Sequence, residues 1–146
     1  MEFDEFRREL FAAAYSMQKA LHVVLAPACQ RHGLTLQQFH VLVELSHAPG
    51  QMPSRVSERT GILRTNFSGL CQRLEDQGLV DRRRSQQDGR AYELSVTPAG
   101  SALLEQVDQD VRRRYNAVVE QEPQETFDAI LAGVRALEVL TAKLGS

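Results

Sequence analysis

The stretch RTNFSGLCQRLEDQG at residues 64–78 predicts a helix with two different faces. With about 100° between successive residues, its apolar side chains share one face that we expect to lie against a core: Phe67, Leu70, Cys71 and Leu74. The opposite face and its flanks carry small or hydrogen-bonding side chains, namely Thr65, Asn66, Ser68, Gly69, Gln72, Arg73 and Asp76. A solvated helix would more often carry Glu and Lys four residues apart, whereas small and amide side chains suit the major groove, where they can bond to base edges. The stretch therefore favours a helix that contacts DNA.

A shorter helix precedes this one. We expect it over residues 54–60, ended by Gly61, while the longer helix runs over residues 64–77 and is ended by Gly78. Two short helices around a glycine turn are typical of a helix-turn-helix.

A β-hairpin is predicted directly after the helix pair. Residues 79–84 and 90–96 are expected to be strands, and the QQDG sequence at residues 86–89 supplies turn chemistry between them. Arginines surround the tip of this hairpin: Arg82, Arg83, Arg84 and Arg90. Charge can also protect an edge strand against aggregation, but either sign would serve that purpose. The pattern therefore predicts a basic wing that lies along phosphates and inserts an arginine into a minor groove.

The charge of the whole chain conceals this concentration of arginine. Residues 55–90 hold eight arginines against five acids, a net charge of +3, whereas the chain as a whole has a net charge of −2. An arginine-rich composition can reflect a GC-rich genome, but that bias does not explain the clustering. Because the planar guanidinium group suits bidentate contacts to phosphate and guanine, the cluster indicates a nucleic-acid partner.

Amphipathic helices are predicted before this segment. The first occupies residues 3–31, and Pro27 is expected to kink it or to start a new turn. Thr35 and Gln38 then fit a capping box at the start of a second helix. Its inward face is predicted to contain Phe39, Leu42 and Val43.

Two further helices are predicted after the hairpin. Thr97 and Pro98 form a helix start, and Pro123 separates this helix from a strongly apolar last one. The helices at the two ends of the chain have more apolar surface than a small wing domain could cover, which predicts self-association. The expected fold class is mainly α with a small β-hairpin wing, a winged helix-turn-helix flanked by dimerisation helices.

Length and composition exclude several classes of protein. The 146 residues suit one domain, 1–146, and no apolar run approaches the roughly 18 residues that span a bilayer. The N-terminus is acidic where an export signal would be basic, and two cysteines form neither a disulfide framework nor a paired-cysteine zinc site. No motif of a hydrolase elbow, zinc protease, P-loop or dinucleotide site is present. We therefore expect a cytoplasmic protein that is no enzyme, with no cofactor, no metal and no membrane partner.

Five motifs in order resemble the MarR family of winged-helix transcriptional regulators. They are LTLQQF at residues 34–39, SRVSERTGI at 54–62, LEDQGLV at 74–80, DGR at 88–90 and TPAG at 97–100. The resemblance implies a DNA-binding lobe at 34–97 and a helical dimerisation region at 1–33 and 98–146. It also implies a homodimer that binds a pseudopalindromic operator in double-stranded DNA, most often as a repressor relieved by a small molecule.

The same resemblance implies which residues contact DNA. Ser54 and Arg55 would lie near phosphates, residues 65–73 would enter the major groove, and Asp88 would brace the wing that carries Arg90. The candidate DNA-binding residues are Ser54, Arg55, Arg64, Thr65, Asn66, Ser68, Gly69, Gln72, Arg73, Arg82, Arg83, Arg84, Asp88 and Arg90. Many family members carry an arginine where this chain has Gly69, so an operator sequence does not transfer from them.

The effector is less defined by the sequence. The family commonly responds to a small aromatic or anionic ligand in a cleft between the lobe and the dimer helices, for which Tyr15, His40 and Arg112 are our candidates. A metal response would use His40, Glu44 and His47, which share roughly one helical face. A thiol response would use Cys71. The winged helix could also serve to bind a protein instead of DNA.

Overall fold

A computed structural model describes residues 1–144 of the chain, which contain six helices and one antiparallel hairpin. In chain order the elements are α1 (Phe3–Arg31), α2 (Leu36–His47), α3 (Pro53–Thr60), α4 (Arg64–Asp76), β1 (Val80–Arg84), β2 (Tyr92–Val96), α5 (Pro98–Val119) and α6 (Gln124–Leu144). They form two compact units, Met1–Val111 and the residues from Arg112 onward, which we describe separately. The predicted fold class, mainly α with a small hairpin, is confirmed.

Local sequence signals define several helix ends. Thr35 Oγ1 accepts a hydrogen bond from Gln38 N at 3.1 Å while Gln38 Oε1 accepts one from Thr35 N at 3.0 Å, so the predicted capping box is present. Gly61 and Gly78 follow α3 and α4 with φ of 70° and 71°, a left-handed conformation that favours glycine. Pro27 lies inside α1, which continues through it, so of the two expectations for Pro27 a new start of the helix is wrong.

The core of the first unit forms around α4. Its predicted apolar face is buried as expected, through Phe67, Leu70, Cys71 and Leu74. This face belongs to one cluster with buried side chains from α1, α2, α3, β2 and α5: Ala28, Cys29, Val41, Leu42, Leu45, Val56, Leu94 and Val107. The opposite face of α4 is therefore directed to solvent.

The inward face of α2 agrees with the prediction at Leu42 and differs from it at Val43, while Phe39 packs against the core from a partly buried position. Val41, Leu42 and Leu45 are buried, whereas Phe39 and Val43 are only partly buried. Because α2 has apolar residues around most of its circumference, the apolar pattern alone does not define its orientation.

The hairpin is shorter than predicted at both strands. Its register pairs Val80 with Val96 and Arg84 with Tyr92. Arg90 lies outside β2, because the turn closes through a hydrogen bond from Ala91 N to Asp88 O at 3.0 Å. Leu79 lies outside β1, since its N donates to Leu74 O at 2.9 Å and closes the end of α4.

The hairpin is held at its base by the start of α5 and at the middle of β2 by the segment before α3. Thr97 Oγ1 donates to Gly78 O at 2.6 Å and caps α5 by accepting from Gly100 N at 3.0 Å. A Cβ on Gly100 would collide with Leu79 O and come within 2.6 Å of Val96 Cγ2, so only glycine fits there. Gln51 forms a further β-bridge to Leu94 of β2.

Much of the surface of the terminal helices is apolar. Large exposed side chains on α1 are Phe3, Phe11, Tyr15, Met17, Leu21 and Val23. The second unit exposes Val118, Val119, Ile130, Leu131, Val134, Val139 and Leu144, and α6 has no buried residue. None of the helices described here combines the length and apolar character needed to cross a membrane.

Candidate nucleic-acid interface

The outward face of α4 is polar and open to solvent. All of its candidate residues are exposed: Thr65, Asn66, Ser68, Gly69, Gln72 and Arg73. Gln72 Nε2 donates to Asp76 Oδ1 at 3.0 Å, and Arg73 Nε donates to Gly69 O at 3.3 Å. These bonds lie along the helix surface, so the donors of both side chains stay on its outward side.

Gly69 has no packing or conformational reason to be glycine within the chain. It lies in the middle of α4 without a positive φ, and a Cβ there would make only an ordinary contact of 3.8 Å with Arg73 Nη2. A glycine inside a helix costs about 1 kcal/mol relative to alanine. The chain therefore carries this cost at the centre of its candidate DNA-contacting face.

Four predicted DNA-binding residues from three elements converge on one cleft beside α4. Ser54 of α3, Arg64 and Ser68 of α4, and Arg82 of β1 line an open volume of about 270 Å³. Pro53, Ser57, Phe67 and Cys71 complete its walls. Arg55, one residue further along α3, lines instead a cleft of about 450 Å³ beneath the wing, together with Asp88.

The tip of the wing is built by two side-chain caps. Ser85 Oγ accepts hydrogen bonds from Gln87 N at 3.3 Å and Asp88 N at 3.4 Å. Asp88 Oδ1 accepts one from Arg90 N at 3.1 Å. The structure therefore places the Asp88 carboxylate against the backbone of the turn that presents Arg90, and the Arg90 side chain is exposed.

The three consecutive arginines of β1 have different surroundings. The side chain of Arg83 is 79% exposed, and its Nη2 lies 3.8 Å from Asp81 Oδ2. Arg84 is also exposed. The side chain of Arg82 is only 34% exposed, since it lies between α4 and β2.

Arg82 is engaged by two residues that sequence reasoning missed. Its Nε and Nη2 lie 2.9 and 2.7 Å from Glu75 Oε1, and its guanidinium carbon lies 5.6 Å from the centre of the Tyr92 ring. Burial lowers the pKa of Arg82, but the hydrogen bond and charge of Glu75 outweigh burial and raise it. The separation of seven residues between Glu75 and Arg82 was the available signal, but it becomes a contact only through the turn at Gly78.

The same carboxylate oxygen faces the buried thiol of Cys71. The Cys71 Sγ lies 3.6 Å from Glu75 Oε1 and donates to it. Burial and the negative charge of Glu75 raise the pKa of Cys71 to about 11. The thiol is therefore protonated at neutral pH, which is the unreactive form.

The candidate effector residues lie on different helices. Tyr15 lines an open volume of about 270 Å³ with Lys19, His22 and Leu36 on α1 and α2. His40 is exposed on α2 outside that cleft, and Arg112 belongs to the second unit.

Two members of the possible metal trio on α2 have other contacts. Glu44 Oε1 accepts from Arg59 Nε and, at 3.2 Å, from Gln51 Nε2. His47 Nδ1 lies 2.8 Å from Val43 O. Within residues 1–144, no three His, Cys, Asp or Glu side chains are arranged to hold a metal ion.

Comparisons with known proteins agree with this geometry. The model of the MarR family matches residues 32–91. The homoprotocatechuate degradative operon repressor of Escherichia coli is 29% identical over 112 residues, which cover 77% of this chain and 76% of that protein.

Two solved structures extend the similarity to nearly the whole chain. The transcriptional repressor CouR bound to a 23-mer DNA duplex is 27% identical, with a TM-score of 0.76 over 94% of this chain and 98% of that one. NadR in complex with 4-hydroxyphenylacetate is 25% identical, with a TM-score of 0.73 over 86% of this chain and 89% of that one. The winged-helix fold predicted from the sequence is therefore confirmed.

Proposed function

We propose that this chain, whose residues 32–91 match the MarR family of DNA-binding transcriptional regulators, is a repressor that binds a two-fold-symmetric operator as a homodimer. The observation that carries the proposal is the exposed polar face of α4 beside an exposed basic wing. The family relative from Escherichia coli and CouR are both repressors by name, which supports the direction of regulation. On this proposal the protein acts in the cytoplasm.

Charge supports the assignment of the wing to DNA. Within residues 1–144, Arg55, Arg64, Arg84 and Arg90 make no ion pair with a carboxylate. Exposed guanidinium groups without a carboxylate partner are available to phosphate oxygens, and each phosphate they neutralise releases counterions from the DNA. We assign Arg84 and Arg90, together with Arg83, to the wing contact.

The remaining predicted residues divide by their place in the lobe. Ser54, Arg55 and Arg64 lie at the starts of α3 and α4, where backbone N–H groups and side chains suit phosphate contacts. Base contacts are assigned to the exposed face of α4, which comprises Thr65, Asn66, Ser68, Gly69, Gln72 and Arg73.

The apolar surface of the terminal helices supports the dimer. The exposed side chains of α1 and α6 form patches that a monomer would leave in water. A two-fold axis would cover each patch with the same helices of a second copy, and would place the two α4 helices about one DNA turn apart.

We propose a small aromatic carboxylate as the effector. NadR is a relative that binds 4-hydroxyphenylacetate, a phenol with a carboxylate. The cleft at Tyr15 offers a phenol together with Lys19 and His22, which suit a ligand of that chemistry. His40 and Arg112 remain candidates from the sequence for the same ligand.

The experiment for DNA binding is selection of genomic fragments with purified protein, followed by titration of the best fragment at two salt concentrations. We expect a symmetric site and a steep fall of the association constant with salt, with a slope of about −0.9 for each phosphate contacted. Recovery of no fragment above background, both before and after refolding from denaturant to remove a bound effector, would contradict the proposal. That result would favour the alternative in which the winged helix binds a protein instead of DNA.

A further inference from the structure

Four side chains from three elements form a cluster between the recognition helix and the hairpin. We call Cys71 and Glu75 of α4, Arg82 of β1 and Tyr92 of β2 the wing lock. Glu75 Oε1 is its centre, since that single oxygen accepts from Arg82 at 2.7 and 2.9 Å and from the Cys71 thiol at 3.6 Å. The Tyr92 ring covers the guanidinium group of Arg82 at 5.6 Å.

The surroundings of the wing lock distinguish it from a surface ion pair. The side chains of Arg82 and Glu75 are only 34% and 21% exposed, so solvent screens their attraction less than at Arg83, which is 79% exposed. The Cys71 thiol beneath them is fully buried. The lock is therefore continuous with the core at one end and reaches the hairpin at the other.

The wing lock contacts the hairpin from its middle, at Arg82, to its outer end, at Tyr92. The base of the hairpin is held by the hydrogen bond from Thr97 Oγ1 to Gly78 O, and the middle of β2 by the bridge between Gln51 and Leu94, the residue that pairs with Arg82. Tyr92 pairs with Arg84 at the outer end of the strands, before the turn that presents Arg90. Among residues 1–144, the Glu75–Arg82 bridge is the sole ion pair between α4 and the hairpin.

We propose that Glu75 and Tyr92 are positioning residues for DNA binding, which act through Arg82 to hold the wing at a fixed orientation to α4. Arg82 then serves as the strut between helix and wing, while Arg83, Arg84 and Arg90 remain for the phosphates and the minor groove. A wing that is fixed relative to α4 before the protein meets DNA loses less conformational freedom on binding, so α4 and the wing contact the DNA together. This inference rests on the proposed DNA-binding function.

The test is a double-mutant cycle on the duplex that wild-type protein selects from a randomised double-stranded DNA library. Glu75→Gln keeps the shape of the side chain and removes its charge, and we expect it to lower DNA affinity about tenfold. In the wild-type background, Arg90→Ala should also lower DNA affinity about tenfold. In the Glu75→Gln background, Arg90→Ala should lower DNA affinity only about twofold, because a wing that is no longer held beside α4 brings Arg90 to the DNA less effectively.

A matched control distinguishes positioning from a general loss of stability. Arg55 lies on α3, away from the wing lock, so Arg55→Ala should lower DNA affinity by the same factor in the wild-type and Glu75→Gln backgrounds. The same cycle with Tyr92→Leu in place of Glu75→Gln covers the case in which Glu75→Gln does not fold. Tyr92→Phe, which keeps the ring over Arg82, should bind like wild type.

The outcomes separate this inference from the function on which it rests. A wild-type protein that selects a duplex, combined with an Arg90→Ala cost that is unchanged in both lock variants, would overturn the wing lock alone. A wild-type protein that selects no duplex would overturn the proposed function, and the inference with it.

Discussion

Helices α4 and α6 use their apolar residues in opposite ways. α4 has 13 residues and buries four side chains in the core of its own chain, so its polar face is left open. α6 has 21 residues, is richer in apolar side chains, and buries none. The difference shows that α4 is stabilised by packing within its own chain, whereas α6 leaves its apolar side chains exposed, on the surface that the proposed dimer would cover.

The largest expected effect is at α6. Leu131→Glu places a charge among exposed apolar side chains, and we expect it to convert a dimer into monomers that unfold at lower temperature. Light scattering coupled to size exclusion measures the mass, and Glu138→Gln on the same helix is the control. An unchanged dimer mass for Leu131→Glu would contradict the assignment of α6 to a partner surface.

The second effect is at the buried face of α4. Leu74 is fully buried, and Leu74→Ala should lower the free energy of unfolding by about 2–5 kcal/mol through lost apolar contact and a cavity. Urea unfolding at several protein concentrations measures it. The loss should be similar at each concentration, unlike that of Leu131→Glu, and a loss below about 1 kcal/mol would show that the core does not depend on α4.

The structural features that depend on local sequence patterns could be predicted from the sequence. The buried face of α4, the capping box at Thr35 and the glycine turn at Gly78 each follow from residues within one or two helical turns. The predicted inward face of α2 was right at Leu42, which is buried, and Phe39 packs against the core, but Val41 is buried where Val43 was expected. Both valines are apolar, so the apolar pattern does not distinguish them. The predicted start of β2 at Arg90 was wrong, because the side-chain caps of Ser85 and Asp88 place residues 85–91 in the turn and the strand begins at Tyr92.

The wing lock could not be predicted from the sequence. Glu75 and Tyr92 belong to different elements, and their contacts with Arg82 exist only once the hairpin has folded back against α4. Alternation along the strand places Arg83 on the opposite face from Arg82 and Arg84, but it contains no signal that distinguishes Arg82 from Arg84. The role of each predicted DNA-binding residue stays a prediction.

A smaller effect is expected at the exposed face of α4. Gly69→Ala should raise the free energy of unfolding by about 1 kcal/mol, since alanine is the better helix former and its Cβ has room beside Arg73. Thermal unfolding measures the change, and Ser68→Ala next to it should have a smaller effect. A destabilised Gly69→Ala would mean that this position is constrained inside the chain after all.

A further expected effect, confined to alkaline solution, is a dependence of stability on pH. Because burial and Glu75 raise the pKa of Cys71 to about 11, the folded state holds its proton more tightly than the unfolded state. The stabilisation is complete below the unfolded thiol pKa of about 8.5 and declines as the pH rises towards 11.

Cys71→Ser keeps a donor for Glu75 but does not titrate in this range, so it should reduce that decline. Urea unfolding between neutral and alkaline pH, with a reductant present, measures the two slopes. Burial also raises the pKa of Cys29, so part of the decline should remain. Equal slopes for wild type and Cys71→Ser would contradict the buried environment assigned to this thiol.

The most direct test of DNA recognition by α4 is selection from a randomised DNA library by wild-type protein and by Gln72→Ala in parallel. We predict two inverted half-sites about one helical turn apart for wild type. We also predict that Gln72→Ala loses the preference at one base pair in each half-site, with the other positions unchanged. Identical preferences in the two selections, or a selected site without two-fold symmetry, would contradict the claim that the exposed face of α4 contacts base edges in a dimer.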